Sequence, residues 1–197
     1  MRLIPLAFAV AALLGGCSLF GRETIPDFPT AREQYQFADS IYSRTRPLPV
    51  ENPHEHWRVT DVESPYFEPP LTRYRQRDYQ QFIEAFERVV NRFPDDTEFT
   101  PIAMVRLGEF HHLAGDPFMA ASRYNQVLDI CGDDEVLSAA ALYGLARVQM
   151  SQQQFTEAQH CYQLLIERHR DSQNPRIIDL VGRAAQHLAQ IQYQFSR

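Results

Sequence analysis

The sequence predicts an all-α protein built as an array of antiparallel helix pairs, and three observations predict it. From about residue 73 onwards apolar residues recur at helical spacing. Tyr79, Phe82, Ile83, Phe86, Val89 and Val90 keep one face, and Ile102, Val105, Leu107, Phe110 and Leu113 keep another, while no comparable stretch alternates with period two. Eight of the thirteen prolines fall between Pro26 and Pro70, whereas Pro94, Pro101, Pro117 and Pro175 downstream each stand near a helix boundary. Finally, Leu107-Gly108, Gly115, Ala120, Tyr124 and Val127 lie over Leu145-Ala146, Gln153, Ala158, Tyr162 and Leu165 at a constant offset of 38 residues.

Composition narrows the function. The 197 residues, 44% hydrophobic and 22% charged, suit one modest domain or a short repeat array rather than a disordered chain. All nineteen basic residues are arginine against twenty-five acidic ones, so no surplus of positive charge is available to follow a phosphate backbone, and no nucleic acid partner is expected. Cys17, Cys131 and Cys161 lack the spacing of a zinc knuckle or a dense disulfide framework.

Met1-Arg2 is a minimal basic start, followed by an apolar run from Leu3 to Leu14 and then Gly15-Gly16-Cys17. Twelve residues in a helix rise about 18 Å, short of the roughly 30 Å hydrocarbon core, so the run reads as an export signal over residues 1–16 rather than a permanent span. Leu14-Gly15-Gly16-Cys17 resembles the lipobox of bacterial lipoproteins. The resemblance implies that Cys17 is acylated, begins the mature chain and tethers it to a membrane by a diacylglyceryl group. Ser18 lacks the acidic character that retains enteric lipoproteins in the inner membrane, so the resemblance favours the outer membrane, facing the periplasm. Residues 17–29, with Gly21, Pro26 and Pro29, read as a linker; Ser18 to Pro29, fully extended, reaches about 40 Å.

Residues 30–72 read as an N-terminal arm. Thr30 and Glu33 have capping-box spacing, and Tyr35, Ala38, Ile41 and Tyr42 share one helical face behind them. The stretch from Thr45 to Pro70, bearing Trp57, Tyr66 and Phe67, is then an insertion that splits the first helix pair. Residues 73–197 form the main domain, with helices expected at about 73–93, 99–114, 117–131, 136–151, 155–170 and 175–195. The last, with Ile178, Val181-Gly182, Ala185, Leu188 and Ile191, has no second helix after it and reads as a cap. Its polar face is supplied by Arg176, Arg183, Gln186, Gln190 and Gln194.

Within each 38-residue unit the spacing resembles the tetratricopeptide repeat: a large-small pair on the first helix, a turn, an alanine on the second helix and an aromatic four residues later. The resemblance implies an α-solenoid, because helices approach closely only where one side chain is small, and the aromatic fills the space toward the next unit. Residues beyond the usual repeat length are expected in a longer turn around Gly132-Asp133-Asp134. Phe82 occupies the alanine position of the first unit, so that pair is expected to be wider or differently partnered. Arg92-Phe93-Pro94-Asp95-Asp96 followed by Ala103, Leu107 and Gly108 is similar to the BamD/YfiO group of lipoproteins, which implies a role in outer-membrane protein assembly. A tetratricopeptide lipoprotein serving cell-wall or secretion machinery fits the same pattern.

The repeat resemblance implies a concave face lined by first helices, and hence a protein partner. The positions taken to face inward are Ile102, Val105, Glu109, His112 and Leu113, then Tyr143, Arg147 and Met150, then Arg176, Asp179 and Arg183. Their mixed lining suits an extended peptide or a helix, anchored by Tyr143 and Met150 and oriented by Arg147. The chain's own N-terminal arm is the competing occupant.

His54-Glu55-His56 is the nearest approach to a metal motif and carries no surrounding zinc signature. No acid, nucleophile and base stand at a recognisable spacing, so no enzyme activity, cofactor, metal or small-molecule substrate is expected. Cys131 and Cys161 differ by eight residues in repeat position, about 12 Å along a helix axis, against the roughly 7 Å limit for a disulfide, so two free thiols are expected. Two alternatives remain beside the envelope scaffold: a metal-binding protein or enzyme using the His54/His56 loop, and a structural lipoprotein whose repeat face forms a homo-oligomer.

Overall fold

A computed structural model describes residues 25–48 and 74–195. Cys17, the His54/His56 loop and the aromatics Trp57, Tyr66 and Phe67 lie outside the described residues. Seven helices follow one another: α1 (Ala31–Arg44), α2 (Gln76–Arg92), α3 (Phe99–Leu113), α4 (Pro117–Cys131), α5 (Glu135–Ser151), α6 (Phe155–His169) and α7 (Pro175–Phe195).

Local chemistry sets the starts. The Thr30 hydroxyl accepts from the Glu33 amide at 3.2 Å and donates to Glu33 Oε2 at 2.8 Å, which opens α1. Asp96 Oδ1 accepts from the Phe99 amide at 2.6 Å, Asp116 Oδ1 from Met119 at 3.0 Å, and Asp134 Oδ1 from Val136 at 2.9 Å and Leu137 at 2.8 Å. These carboxylates satisfy amides that have no partner inside the helix and face its positive end. Between α3 and α4 the chain reverses through Gly115 at φ 86°; the equivalent turn between α5 and α6 places Gln153 at φ 61°. A side chain in that left-handed region costs about 1 kcal/mol, which glycine avoids.

The helices stack in one direction. α2 packs on α1 and α3, α4 on α3 and α5, and α6 on α5 and α7. The first helices of successive pairs also touch in a continuous row, α1 to α3 to α5 to α7, whereas the backbones of α2, α4 and α6 stay apart. A row in contact beside a row that is splayed is a curved array with the first helices on the inside. α1, separated from α2 by the long insertion, takes the first-helix position of the first pair and belongs to the array rather than to an arm.

Two sites show how side-chain size sets this packing. The Tyr124 ring, 5% exposed, reaches from α4 between α3 and α5 and lies on two glycines. A Cβ on Gly108 would stand 2.7 Å from Tyr124 Cε1, and one on Gly144 would stand 2.3 Å from Tyr124 Cζ. Ala120 and Ala158, both fully buried, hold the close approach of α4 and α6 to their partners. Phe82 at the corresponding place on α2 is accommodated by rings. Its centroid lies 5.3 Å from Tyr42 of α1, 5.1 Å from Tyr74 and 5.2 Å from Phe110 of α3, with edge-to-face or tilted geometry throughout. The first pair is therefore held by an aromatic cluster, in place of the small-residue contact of the later pairs.

Two expectations are corrected. The turn after α4 is only three residues, Gly132 to Asp134, and the extra length lies in the helices, α5 having 17 residues. The linker expected over residues 17–29 ends early, because residues 25–29 already lie on α1 and α2: Ile25 is buried and Asp27 pairs with Arg88. Cys131 and Cys161 are free thiols, and Cys161 is buried as a small apolar group.

Gly144→Ala should lower unfolding stability in denaturant titration by about 1–3 kcal/mol, through the clash with the Tyr124 ring. In a Tyr124→Ala background the same substitution should cost only a few tenths. An equal cost in both backgrounds would show that the ring does not sit on Gly144.

Candidate interaction face

The inner row presents equivalent positions from each first helix. From α3 come Ile102, Val105, Glu109 and His112, all half-buried, with half-buried Leu113 beyond them. From α5 come Ala140, Tyr143, Arg147 and Met150 at the same register, 38 residues on. Tyr143 and Met150 differ from the expected anchors, being 7% and 4% exposed. Tyr143 packs against Tyr162 at 6.0 Å, and its hydroxyl lies 3.4 Å from His187 Nε2 on α7. Both side chains belong to the array's own core, since α7 closes over the end of α5.

Arg176, Asp179 and Arg183 also sit elsewhere than expected. Their equivalents, Thr100, Ala103 and Leu107 on α3 and Ser138, Ala141 and Leu145 on α5, are buried on the side that meets the following second helix. Among the described residues no helix follows α7, so these three positions are exposed on the terminal face of the array, where Arg183 Nε pairs with Asp179 Oδ2 at 2.9 Å. They serve the cap, which the polar-face reading of the same helix anticipates. The inner row continues on α7 through Ile178, Val181, Ala185 and Leu188, with Ile178 53% exposed. The 38-residue offset, applied strictly to the last helix, was the signal for them.

The charged groups of the inner row come from two helices, Arg106 and Glu109 from α3 and Arg147 from α5. Arg106 pairs with Glu109 at 3.4 Å within α3, and its guanidinium lies 5.8 Å from the centre of the Tyr42 ring. Burial, and second the nearby Arg147 charge, push the His112 imidazole down to about 4, so at neutral pH it is uncharged. Arg147 itself is half-buried and makes no ion pair among the described residues. Burial raises the Tyr124 hydroxyl well above its ordinary value, so it too stays neutral beside this group.

The outer side carries a separate polar brace. Arg123 of α4 reaches across to Glu87 of α2 in a direct hydrogen-bonded pair, and His111 Nε2 of α3 lies 3.8 Å from the same carboxylate oxygen. The His111 ring, and second the Arg123 charge and hydrogen bond, hold the Glu87 carboxyl below its ordinary range against the opposing effect of burial. Ser138 Oγ and His169 Nε2 meet at 3.1 Å between α5 and α6, both buried, as a structural contact that a substrate could not reach. Among the described residues there is no cluster of three metal-ligating side chains and no helix long and apolar enough to cross a membrane.

Residues 99–171 match the family model described as tetratricopeptide repeat. The match spans α3 to α6, the two complete pairs joined by the Tyr124 contact, and the helix order on either side of it is that of an all-α tetratricopeptide-type array. No curated protein matches the chain. Arrays of this family mediate protein–protein interaction, and no catalytic family is indicated.

His112 should titrate near pH 4 in NMR. In Arg147→Ala its midpoint should rise and still remain below the ordinary histidine value of about 6.5, because burial is the larger cause. The neutral form is the one the fold favours, so the stability tied to this group is complete above about pH 6.5 and is lost as pH falls toward 4. A wild-type midpoint near 6.5 would contradict the burial of this ring.

Proposed function

We propose that this chain is a lipid-tethered tetratricopeptide scaffold of the bacterial cell envelope that holds a protein partner along the row of first helices. One observation carries the reading. The inner row is largely apolar, from Ile102 and Val105 to Ile178, Val181 and Leu188, and at its centre stands a half-buried Arg147 with no ion pair among the described residues. A helix or extended segment that offers apolar side chains at helical or alternate spacing and one carboxylate would satisfy both features. The neutral His112 beside Arg147 adds no second positive charge there.

The Leu14-Gly15-Gly16-Cys17 motif supports acylation of Cys17 and a membrane-bound location, with Ser18 favouring the outer membrane. Tethering concentrates the inner row among other envelope proteins, so modest contacts suffice. Within this reading, the resemblance of Arg92 to Asp96 and the following helix to the BamD/YfiO group favours a part in outer-membrane protein assembly.

In-cell photocrosslinking tests this. A crosslinker at Val105 or Ile178 should capture an envelope protein, and one at Phe118, exposed in the first turn of the second helix α4, should not. Arg147→Glu should cut the yield by about tenfold or more, the effect expected of losing one charge-assisted contact and gaining a repulsion. Capture of a β-barrel assembly subunit supports the narrower role, and capture of other envelope proteins replaces it. Equal yields from Phe118 and the inner row would remove the case for this face.

A further inference from the structure

Residues 25–30, just before α1, are bound to the first pair at several points. Ile25 is 6% exposed. Asp27 Oδ1 lies 2.6 Å from Arg88 and 3.3 Å from Arg92, both on α2. Gln34 of α1, completely buried, clips the segment at two places: its Oε1 accepts from the Phe28 amide at 3.0 Å, and its Nε2 donates to the Pro26 carbonyl at 3.2 Å. Arg92 closes the arrangement by donating to the Phe28 carbonyl at 3.0 Å and to Gln34 Oε1 at 3.3 Å. The Phe28 ring rests on Phe37 at 5.1 Å.

A buried glutamine whose amide group accepts and donates to one short segment is a specific clamp, because without that segment its Nε2 would lose its acceptor and its Oε1 would keep only the longer contact from Arg92. We infer that residues 25–30 are a strap that fixes where the tether leaves the array, so that the protein stands with its first helix pair next to the membrane and α7 farthest from it. The membrane half of this inference rests on the tether reading at Cys17. Only seven residues lie between Cys17 and the buried Ile25, and fully extended the chain from one to the other spans about 28 Å. A leash running free to Pro29 would reach about 40 Å and leave every orientation open. With the strap docked, the anchor is held at the α1–α2 edge, and the row of first helices runs away from the lipid surface toward α7.

The test uses the full lipidated chain in phosphatidylethanolamine–phosphatidylglycerol vesicles carrying energy-transfer acceptors on their headgroups. A fluorescent amino acid replaces Gln36, exposed on α1, or Gln192, exposed on α7. Transfer should be several-fold stronger from position 36 than from position 192. In the same samples, hydrogen exchange at the Phe28 amide should be slowed at least tenfold relative to an unstructured chain. Gln34→Ala, or Asp27→Ala at an exposed position that leaves α1 intact, should speed that exchange and reduce the difference in transfer, with exchange in α3 to α6 unchanged. Unprotected Phe28 in the native chain would overturn the strap. Protected Phe28 with equal transfer from both positions would overturn the orientation. Failure to associate with vesicles while Phe28 stays protected would reject the tether and with it the orientation, leaving the strap as a closure of the array's first edge.

Discussion

The array depends on one aromatic ring seated on two glycines. Tyr124 projects from α4 into the place where α3 and α5 meet, and Gly108 and Gly144 on those two helices lack the Cβ that would collide with it. One buried ring of this size contributes as much apolar contact as two or three smaller side chains, and it fixes three helices at once. Because it enters from the second-helix side, it spreads that side while the first helices close behind it. The contact of α1, α3, α5 and α7 in a continuous row, with α2, α4 and α6 apart, follows from repeating that asymmetry with different residues.

The other pairs solve the same problem in their own ways. On α6, Tyr162 corresponds to Tyr124, yet a Cβ on Gly182, the counterpart of Gly144, would meet nothing within 4 Å. Tyr162 instead stacks on His187 of α7 at 5.3 Å, with the rings 18° from parallel. The last helix is thus held by a ring on a ring, which draws Tyr143 into the core as well. At the first pair, Phe82, Phe86, Tyr42 and Phe110 replace the small-residue contact. What remains for the inner row is a surface of apolar side chains interrupted near its middle by Arg106, Glu109 and Arg147. That surface is the one we propose a partner meets.

Much of this was readable in the residues. Every helix from α2 to α7 stands within three residues of its expected span, because prolines and capping aspartates mark the boundaries in the chain itself. The split first pair was readable from the Thr30–Glu33 cap and the apolar face behind it. What the sequence did not reveal depends on neighbours distant in the chain. Whether Tyr143 faces a partner or α7 depends on His187, 44 residues away. Arg176, Asp179 and Arg183 look like groove residues on a helical wheel and become cap residues only because no second helix follows among the described residues. The strap escapes periodicity, since residues 25–30 are not helical, and its clue, a buried glutamine, looks like any surface glutamine until Pro26 and Phe28 meet it.

The seating of Tyr124 can be measured without perturbing the protein. Nuclear Overhauser contacts between the Tyr124 ring protons and the α-protons of Gly108 and Gly144 report both ends of the contact in solution. Strong cross-peaks to both glycines are the expected result. Cross-peaks to Gly108 alone, or to neither, would mean that α5 does not close on α4 through this ring, and the curved row of first helices would lose its cause.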